Sequence, residues 1–350
     1  MTTERLKVGI LGATGAVGQR FIQLLEGHPW FELSALYASE RSAGKPYHEA
    51  VTWRLPIPQP SYANDVVVRA LAPEDNLELV FSALPRQPAE TIEPLFAQAG
   101  VPVISNASAF RMTSDVPLLI PEVNPEHTAL IATQQANRGW PGFIATNPNC
   151  AAVGLVLPLK PLHDAFGIES VRVVTMQAKS GAGYPGPPPE IIADNVLPFI
   201  PGEEEKLESE PLKLLGTLAG DHIEDAPMTV SAQCNRVDVL DGHTESVFIN
   251  FSNRPTVDQA AEALREFTGI PQTAALPTAP HRPVVVLDEA DRPQPKLDRD
   301  HDQGMAVTVG RLRSDALTDL MFTTLSHNTI RGAAGAAILN AELLKHQGIL

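Results

Sequence analysis

Cysteine is almost absent from this chain: Cys150 and Cys234 are the only two in 350 residues. Two thiols are too few for a disulfide scaffold, and neither stands in the Cys/His spacing of a zinc site, so no metal is expected. Each is buried filler or chemistry. Basic charge is scarce as well, with 26 Lys and Arg against 41 Asp and Glu and a formal charge of −15. Such a field repels nucleic acid and anionic membrane, so any anionic ligand must be captured by a local cluster of donors and cations. Long apolar runs are missing too. Residues 1–5 lead straight into an apolar strand with no signal-peptide core, and no later run would span a bilayer. The expected location is the cytoplasm, with no membrane and no nucleic-acid partner.

What remains is ordinary for a globular enzyme: 43% hydrophobic and 19% charged residues in a length that suggests two domains in close contact. The 32 prolines cluster only at residues 55–60, 185–189 and 277–283, which read as ordered loops. Residues 6–11 form a compact apolar run ending at Gly12, and residues 16–25 follow with helical spacing of Val17, Phe21, Leu24 and Leu25. Further short apolar runs at 32–37, 66–70, 77–81 and 101–104, with a helix at 87–99, predict a parallel sheet of the doubly wound kind. After Cys150 the texture changes. Residues 151–166 read as helix, and 170–178, 228–237 and 245–252 as longer β-branched strands of a mixed or antiparallel sheet. Residues 202–218 read as a charged helix interrupted near Pro211, 256–267 as a helix with Asp258 in its first turn, and 328–344 as a small-residue helix.

Gly12-Ala13-Thr14-Gly15-Ala16-Val17-Gly18 sits where a strand hands over to a helix, so its glycines permit a tight turn and the helix start offers N–H groups to a pyrophosphate. Its G-x-x-G-x-x-G spacing would also suit a plain structural turn. At the end of the second strand, Ser39, Arg41 and Ser42 offer hydroxyls and a cation for a 2′-phosphate, which favours NADP over NAD; Glu40 could instead hold a ribose or face solvent. Cys150, in Asn147-Pro148-Asn149-Cys150, stands at a helix start, where the positive helix end should lower a thiol pKa and Asn149 with backbone N–H groups could receive an oxyanion. The bland reading is a buried thiol, and Cys234, inside a strand, fits it. His243, on the glycine turn Asp241-Gly242-His243, is a candidate base or an exposed turn histidine. Arg111, Arg236, Lys206 and Glu203 are candidates for holding a charged substrate, although Glu203 and Lys206 could be an ordinary i, i+3 helical pair.

Together, residues 9–15, 105–111 (Ser-Asn-Ala-Ser-Ala-Phe-Arg), 147–150, 177–186 (Gln-Ala-Lys-Ser-Gly-Ala-Gly-Tyr-Pro-Gly) and 242–245 (Gly-His-Thr-Glu) resemble the aspartate-semialdehyde dehydrogenases of the archaeal and fungal-type branch, in that family's order. The resemblance implies an α/β protein: a Rossmann-type dinucleotide-binding domain over 1–149, completed by the C-terminal helix 328–350, and an α/β catalytic and dimerisation domain with a mixed sheet over 150–327. It implies Cys150 as nucleophile, His243 as acid/base and Gln177 orienting the reacting group. Arg236 with Glu203 would bind the substrate's amino-acid end, and Asn106, Arg111 and Lys206 the phosphate. NADP(H) would meet Gly12, Thr14, Gly15, Ala16, Val17, Ser39, Arg41, Ser42 and Ser82, with Ser180, Gly181, Gly183 and Asn328 at the nicotinamide. Glu204 and Glu205 leave the register of the Glu203/Lys206 match open.

The implied reaction is NADPH-dependent reduction of aspartyl phosphate to aspartate semialdehyde and phosphate through a Cys150 thioester, in the biosynthesis of lysine, threonine, methionine and isoleucine, by a homodimer or homotetramer. A malonyl-CoA reductase would keep Cys150, His243 and the glycine loop, and differ in its leaving-group contacts. A non-catalytic NADP-binding regulator would have lost the nucleophile or its base, and both are present.

Overall fold

The computed structural model describes residues 5–73 and 76–350. Six parallel strands make the first sheet: β1 (Leu6–Leu11), β2 (Phe31–Tyr37), β3 (Val68–Arg69), β4 (Leu79–Ser82), β5 (Val103–Ser105) and β6 (Ile144–Thr146), ordered β3-β2-β1-β4-β5-β6. The order reverses beside β1, which opens a crevice at the carboxyl ends of β1 and β4. Both faces are covered. On one, α1 (Ala16–Leu25) contributes Phe21 and Ile22 to a core with Val8, Ile10 and Phe81. On the other, α2 (Arg86–Gln98) brings Phe96 against Leu11, Tyr37 and Val80, and α3 (Leu130–Arg138) adds Ile131 to the first core. Strands buried on both faces run apolar without alternation, as residues 79–81 and 103–104 do before each strand ends in a buried serine.

The second sheet is mixed and seven-stranded: β7 (Ile168–Gln177), β8 (Val196–Leu197), β9 (Thr229–Val237), β10 (His243–Phe251), β11 (Val284–Val286), β12 (Val307–Arg313) and β13 (Leu320–Ser326), in the order β11-β12-β13-β10-β7-β9-β8. Period-two alternation turns Val171, Val173, Val247, Ile249, Leu320 and Phe322 inward, against the apolar flank of α4 (Cys150–Phe166). The α/β class, the parallel sheet and the mixed sheet are as expected. The three-residue strands β6 and β11 and the seven-residue strands β12 and β13 were not anticipated.

Two helices depart from expectation. The charged helix α5 (Glu203–Leu214) is unbroken at Pro211, because that proline lies in the last turn, where only one intrahelical bond is forfeited. Beyond it, Thr217–Ala219 pairs with His222–Glu224 as a small hairpin instead of prolonging the helix. The terminal helix also does not run straight from residue 328: Ile330–Ala334 is a π-turn, and the α-helical part is α6 (Gly335–His346). There the chain passes so close to the start of α4 that a Cβ on Gly332 would lie 2.7 Å from Cys150 Cβ. Ala334, Ala337, Ile338, Ala341 and Leu344 pack into the core of the first sheet. No helix among the described residues is long and apolar enough to cross a membrane.

Candidate active site

The inward face of the mixed sheet changes character along its strands. Apolar over most of its length, it becomes polar at one end, where Cys234, Thr175, Glu245 and Thr324 form one row. In the next row Arg236 faces Gln177 across β9 and β7, while His243 faces Ser326 across β10 and β13. These two rows lie where α4 begins, which delivers Cys150 onto them. Asn149 caps that helix, its Oδ1 accepting from the N–H groups of Ala151 (2.9 Å) and Ala152 (3.3 Å).

Cys150 Sγ lies 3.2 Å from His243 Nε2. The imidazole is fully buried, and the Ala178 N–H donates to its Nδ1 at 3.0 Å. A backbone N–H can only donate, so Nδ1 keeps its lone pair and the neutral ring carries its proton on Nε2, facing the sulfur. Burial first, and then the Arg236 charge, lower the His243 pKa to about 3, so the ring stays neutral. Cys150 departs from the expected lowered thiol. Burial pushes it up to about 12 and the Glu203 charge adds to that, while Arg111, Arg236 and Lys206 pull the other way. One helix end does not outweigh desolvation.

Glu203 is the hub of the polar cluster. It accepts from Asn149 Nδ2 at 3.1 and 2.9 Å, from Lys206 Nζ at 2.6 Å and from Gln177 Nε2 at 3.3 Å. Burial alone would raise its pKa, but the Lys206 charge and these hydrogen bonds outweigh it and hold the carboxylate ionised. Asn149 is therefore committed at both ends of its amide and does not offer Nδ2 to an oxyanion. Lys206 does form the i, i+3 pair with Glu203. Arg236 Nη1 donates to the Ala178 carbonyl at 2.8 Å and reaches Gln177 Oε1 at 3.5 Å.

Arg111 is buried and engaged: Nη1 with Glu210 at 3.0 Å and Nη2 with the Asn106 carbonyl at 2.7 Å, while its Nε is buried without a partner. The second Glu210 oxygen accepts from the Asn149 N–H at 2.5 Å, which ties the arginine to the start of α4. Asn106 spends its amide on the Ser82 carbonyl and on Asn147. Glu210 and Lys213, whose Nζ donates to the carbonyls of Arg111, Thr113 and Val116, were not anticipated from the sequence. Both look there like ordinary charges of an acidic helix, and only their position on its inward face marks them.

A cleft of about 710 Å³ runs from the end of β2 over the glycine loop to the segment after β7, lined among others by Gly12, Thr14, Gly15, Ala16, Val17, Ser39 and Gly183. Its floor fits a pyrophosphate. Gly12 has φ +81°, a Cβ on Gly18 would collide with the Gly12 carbonyl, and no side chain caps the start of α1, so its first N–H groups face the cleft. Arg41 and Ser42 lie on the turn beyond Ser39, outside this lining, and Ser82 is buried beneath it. Ser180 and Asn328 meet each other, Nδ2 to Oγ at 2.8 Å, and Asn328 Oδ1 accepts from Gly242 N–H at 2.9 Å, which steadies the turn carrying His243. Gly181 lies against His243 and Arg236.

Two family domains match the chain: the NAD-binding domain of the semialdehyde dehydrogenases over residues 7–131 and their dimerisation domain over 159–331. Among curated proteins, the chain is 54% identical to the aspartate-semialdehyde dehydrogenase of Archaeoglobus fulgidus, over 99% of this chain and 100% of that one. It is 55% identical to that of Methanothermobacter thermautotrophicus (97% and 99%) and 48% identical to that of Candida albicans (98% and 99%). Among solved structures, aspartate-semialdehyde dehydrogenase with NADP from Candida albicans superposes with a TM-score of 0.91 at 45% identity, covering 99% of this chain and 100% of that one. Aspartate-semialdehyde dehydrogenase II from Vibrio cholerae, complexed with ASA, superposes at 0.78 and 29% identity, covering 98% and 99%.

Proposed function

Because the chain belongs to the aspartate-semialdehyde dehydrogenase family, we propose that Cys150 is the nucleophile through which it reduces aspartyl phosphate to aspartate semialdehyde and inorganic phosphate. It is an NADP-dependent oxidoreductase of amino-acid biosynthesis, on the route to lysine, threonine, methionine and isoleucine. The observation that carries the residue assignment is the 3.2 Å approach of Cys150 Sγ to a buried His243 whose proton faces the sulfur.

Cys150, as thiolate, attacks the acyl carbon; phosphate leaves and a thioester remains on Sγ. Arg236, Arg111 and Lys206 favour that thiolate against burial. NADPH, when bound, supplies the hydride. Reduction of the thioester carbon leaves a thiohemiacetal oxyanion beside His243, and the Nε2–H donates to it until collapse expels the thiolate and frees the aldehyde. The thiol proton is the one the leaving phosphate needs to depart as hydrogen phosphate, and solvent re-protonates Sγ after collapse, so His243 keeps the expected acid/base role in the first half-reaction and serves as an oxyanion donor in the second. Gln177, anchored by Glu203 and Arg236, orients the reacting group. Arg236 and Glu203 receive the substrate's carboxylate and ammonium, while Arg111 and Lys206 meet the phosphate, with Asn106 steadying Arg111. Ser39, Arg41, Ser42 and Ser82 belong to the adenosine end of the cofactor and Ser180, Gly181, Gly183 and Asn328 to the nicotinamide end. The domain reading, 1–149 with 328–350 and then 150–327, is supported by the packing of α6 against the first sheet.

The second domain makes the enzyme a homo-oligomer. A dimer or tetramer is the finer reading, supported by exposed Ile191, Val196 and Phe199 beside β8 at the edge of the mixed sheet, and light scattering would distinguish the two. A cytoplasmic location rests on the same biosynthetic role. The test is a steady-state assay with purified protein, varying phosphate against CoA and NADP against NAD. Phosphate-dependent oxidation of aspartate semialdehyde, abolished in Cys150→Ala while NADPH still binds, is the expected result. Reduction of malonyl-CoA without any phosphate-dependent activity would overturn it.

A further inference from the structure

The cleft assigned to NADPH must hold several negative charges in a protein that carries −15 of its own. Helix N–H groups supply partial positive charge, but a full cation at the phosphates is worth more. Arg41, the cation the sequence offered, does not line the cleft. Among the described residues that do, Arg54 alone is cationic.

Three features fix Arg54 there. Its backbone is clipped to the glycine loop by Gln19, a fully buried residue of α1. Gln19 Oε1 accepts from the Arg54 N–H at 2.8 Å, while its Nε2 donates to the carbonyls of Thr14 (3.2 Å) and Thr52 (3.1 Å). This clip holds Arg54 within reach of the uncapped start of α1. Its guanidinium then stacks on the ring of Tyr184, 3.0 Å from the centroid, next to Gly183 on the far wall of the cleft. Ser39, the 2′-phosphate end, lies the other way, after β2. A cation held between the glycine loop and residues 182–184 therefore spans the middle of a dinucleotide and not its adenosine end.

Resting on the cofactor reading above, we propose that Arg54 is a binding residue for the pyrophosphate of the dinucleotide, with Tyr184 as the aromatic platform that holds its guanidinium over the cleft. Both side chains are exposed, so a stacked pair by itself adds little to stability and leaves the cation free to meet a phosphate. Arg54 touches no reacting atom. Its effect belongs to cofactor affinity and not to chemistry.

The test is NADPH binding to the full-length protein, followed by nicotinamide fluorescence, with adenosine 2′-monophosphate as a competitor that carries only the 2′-phosphate. Arg54→Ala should raise the Kd for NADPH roughly 10- to 100-fold, flatten its salt dependence and leave the competitor's affinity unchanged. Tyr184→Phe, which keeps the ring, should bind like the parent, and Tyr184→Ala should weaken binding less than Arg54→Ala. A loss confined to the 2′-monophosphate would overturn the pyrophosphate assignment. Equal losses in Arg54→Ala and Tyr184→Ala with unchanged salt dependence would reduce the pair to a structural clasp, and an unchanged Kd would overturn the proposal. Failure of the parent protein to bind NADPH at all would instead overturn the cofactor reading.

Discussion

Gly181→Ala tests whether the position of His243 limits turnover. A Cβ at 181 would stand 2.8 Å from His243 Cε1, 2.9 Å from Nε2 and 2.7 Å from Arg236 Nη1. The backbone there is not left-handed, so alanine itself is tolerated and the strain is purely steric. The arginine end can swing away, but the imidazole is enclosed and held by the Ala178 N–H. Ordinary contact begins near 3.4 Å, so the ring must retreat about half an ångström, which weakens the 3.2 Å approach to Cys150 and draws Nε2–H away from an oxyanion formed on the carbon that Sγ carries, where hydrogen bonds to oxygen tolerate little lengthening. Losing an oxyanion donor costs about 3 to 4 kcal/mol in the transition state, so kcat should fall ~10² to 10³-fold. Stopped-flow reduction of the acyl phosphate would read that loss, with thermal unfolding to show that the fold is intact. A kcat within threefold of the parent would refute the argument that His243 works through that contact.

The thiol makes a pH prediction. With Cys150 pushed up to about 12 mainly by burial, alkylation by iodoacetamide should rise about tenfold per pH unit between 7 and 10 without a plateau. A plateau near neutrality would indicate a thiolate already formed in the free enzyme. Glu93, fully buried and bonded to Ser105, has its pKa raised to about 7, chiefly by burial. The folded state thus holds a proton that the unfolded chain releases above its carboxylate pKa, so stability should fall as pH rises from about 4.5 towards 7. Glu93→Gln should remove a decline on the order of 3 kcal/mol, and urea titrations across that window would detect its persistence. Glu122 and Arg331 form a bidentate pair with both side chains fully buried, linking the turn after β5 to the π-turn beside Cys150. Glu122→Gln should cost about 3 to 5 kcal/mol, because it leaves a buried guanidinium unpaired, and a loss under 1 kcal/mol in chemical denaturation would contradict this.

Much of the fold was legible because local signals agreed with tertiary demand. The run Leu6–Leu11, the glycine turn and the spacing of Val17, Phe21, Leu24 and Leu25 describe one strand–turn–helix unit, and it forms as read. The capping box of Thr256 and Gln259 likewise starts Val257–Glu266 where Asp258 suggested. What failed depended on contacts distant in sequence. The three-residue strand Val284–Val286 is specified by its pairing with Val307–Val309 and not by its own length, and the π-turn at Ile330–Ala334 lies where Gly332 meets Cys150. Neither partner can be seen from within the segment.

The site divides along the same line. Short contiguous runs named residues that the fold brings together around Cys150, whereas the connections between runs were not legible, and α5 shows why. Glu203, Leu207, Glu210 and Leu214 fall at successive helical turns and are all buried, so its inward stripe alternates acid with leucine. An amphipathic reading expects that stripe to be apolar, and a run of three glutamates at 203–205 hides the one that turns inward. Glu204 instead accepts from the Cys234 N–H, and Glu205 is exposed. Burying two carboxylates on one helix face is costly unless each is met by specific donors. Here Glu203 takes donors from Asn149, Gln177 and Lys206, and Glu210 from Arg111 and the Asn149 N–H. Both acids therefore converge on Asn149, the residue that caps α4. That convergence couples the contacts proposed for the substrate and phosphate ends to Cys150 through Asn149, so Glu210→Gln should raise the KM for phosphate and change the rate of Cys150 alkylation together, although Glu210 touches neither phosphate nor thiol.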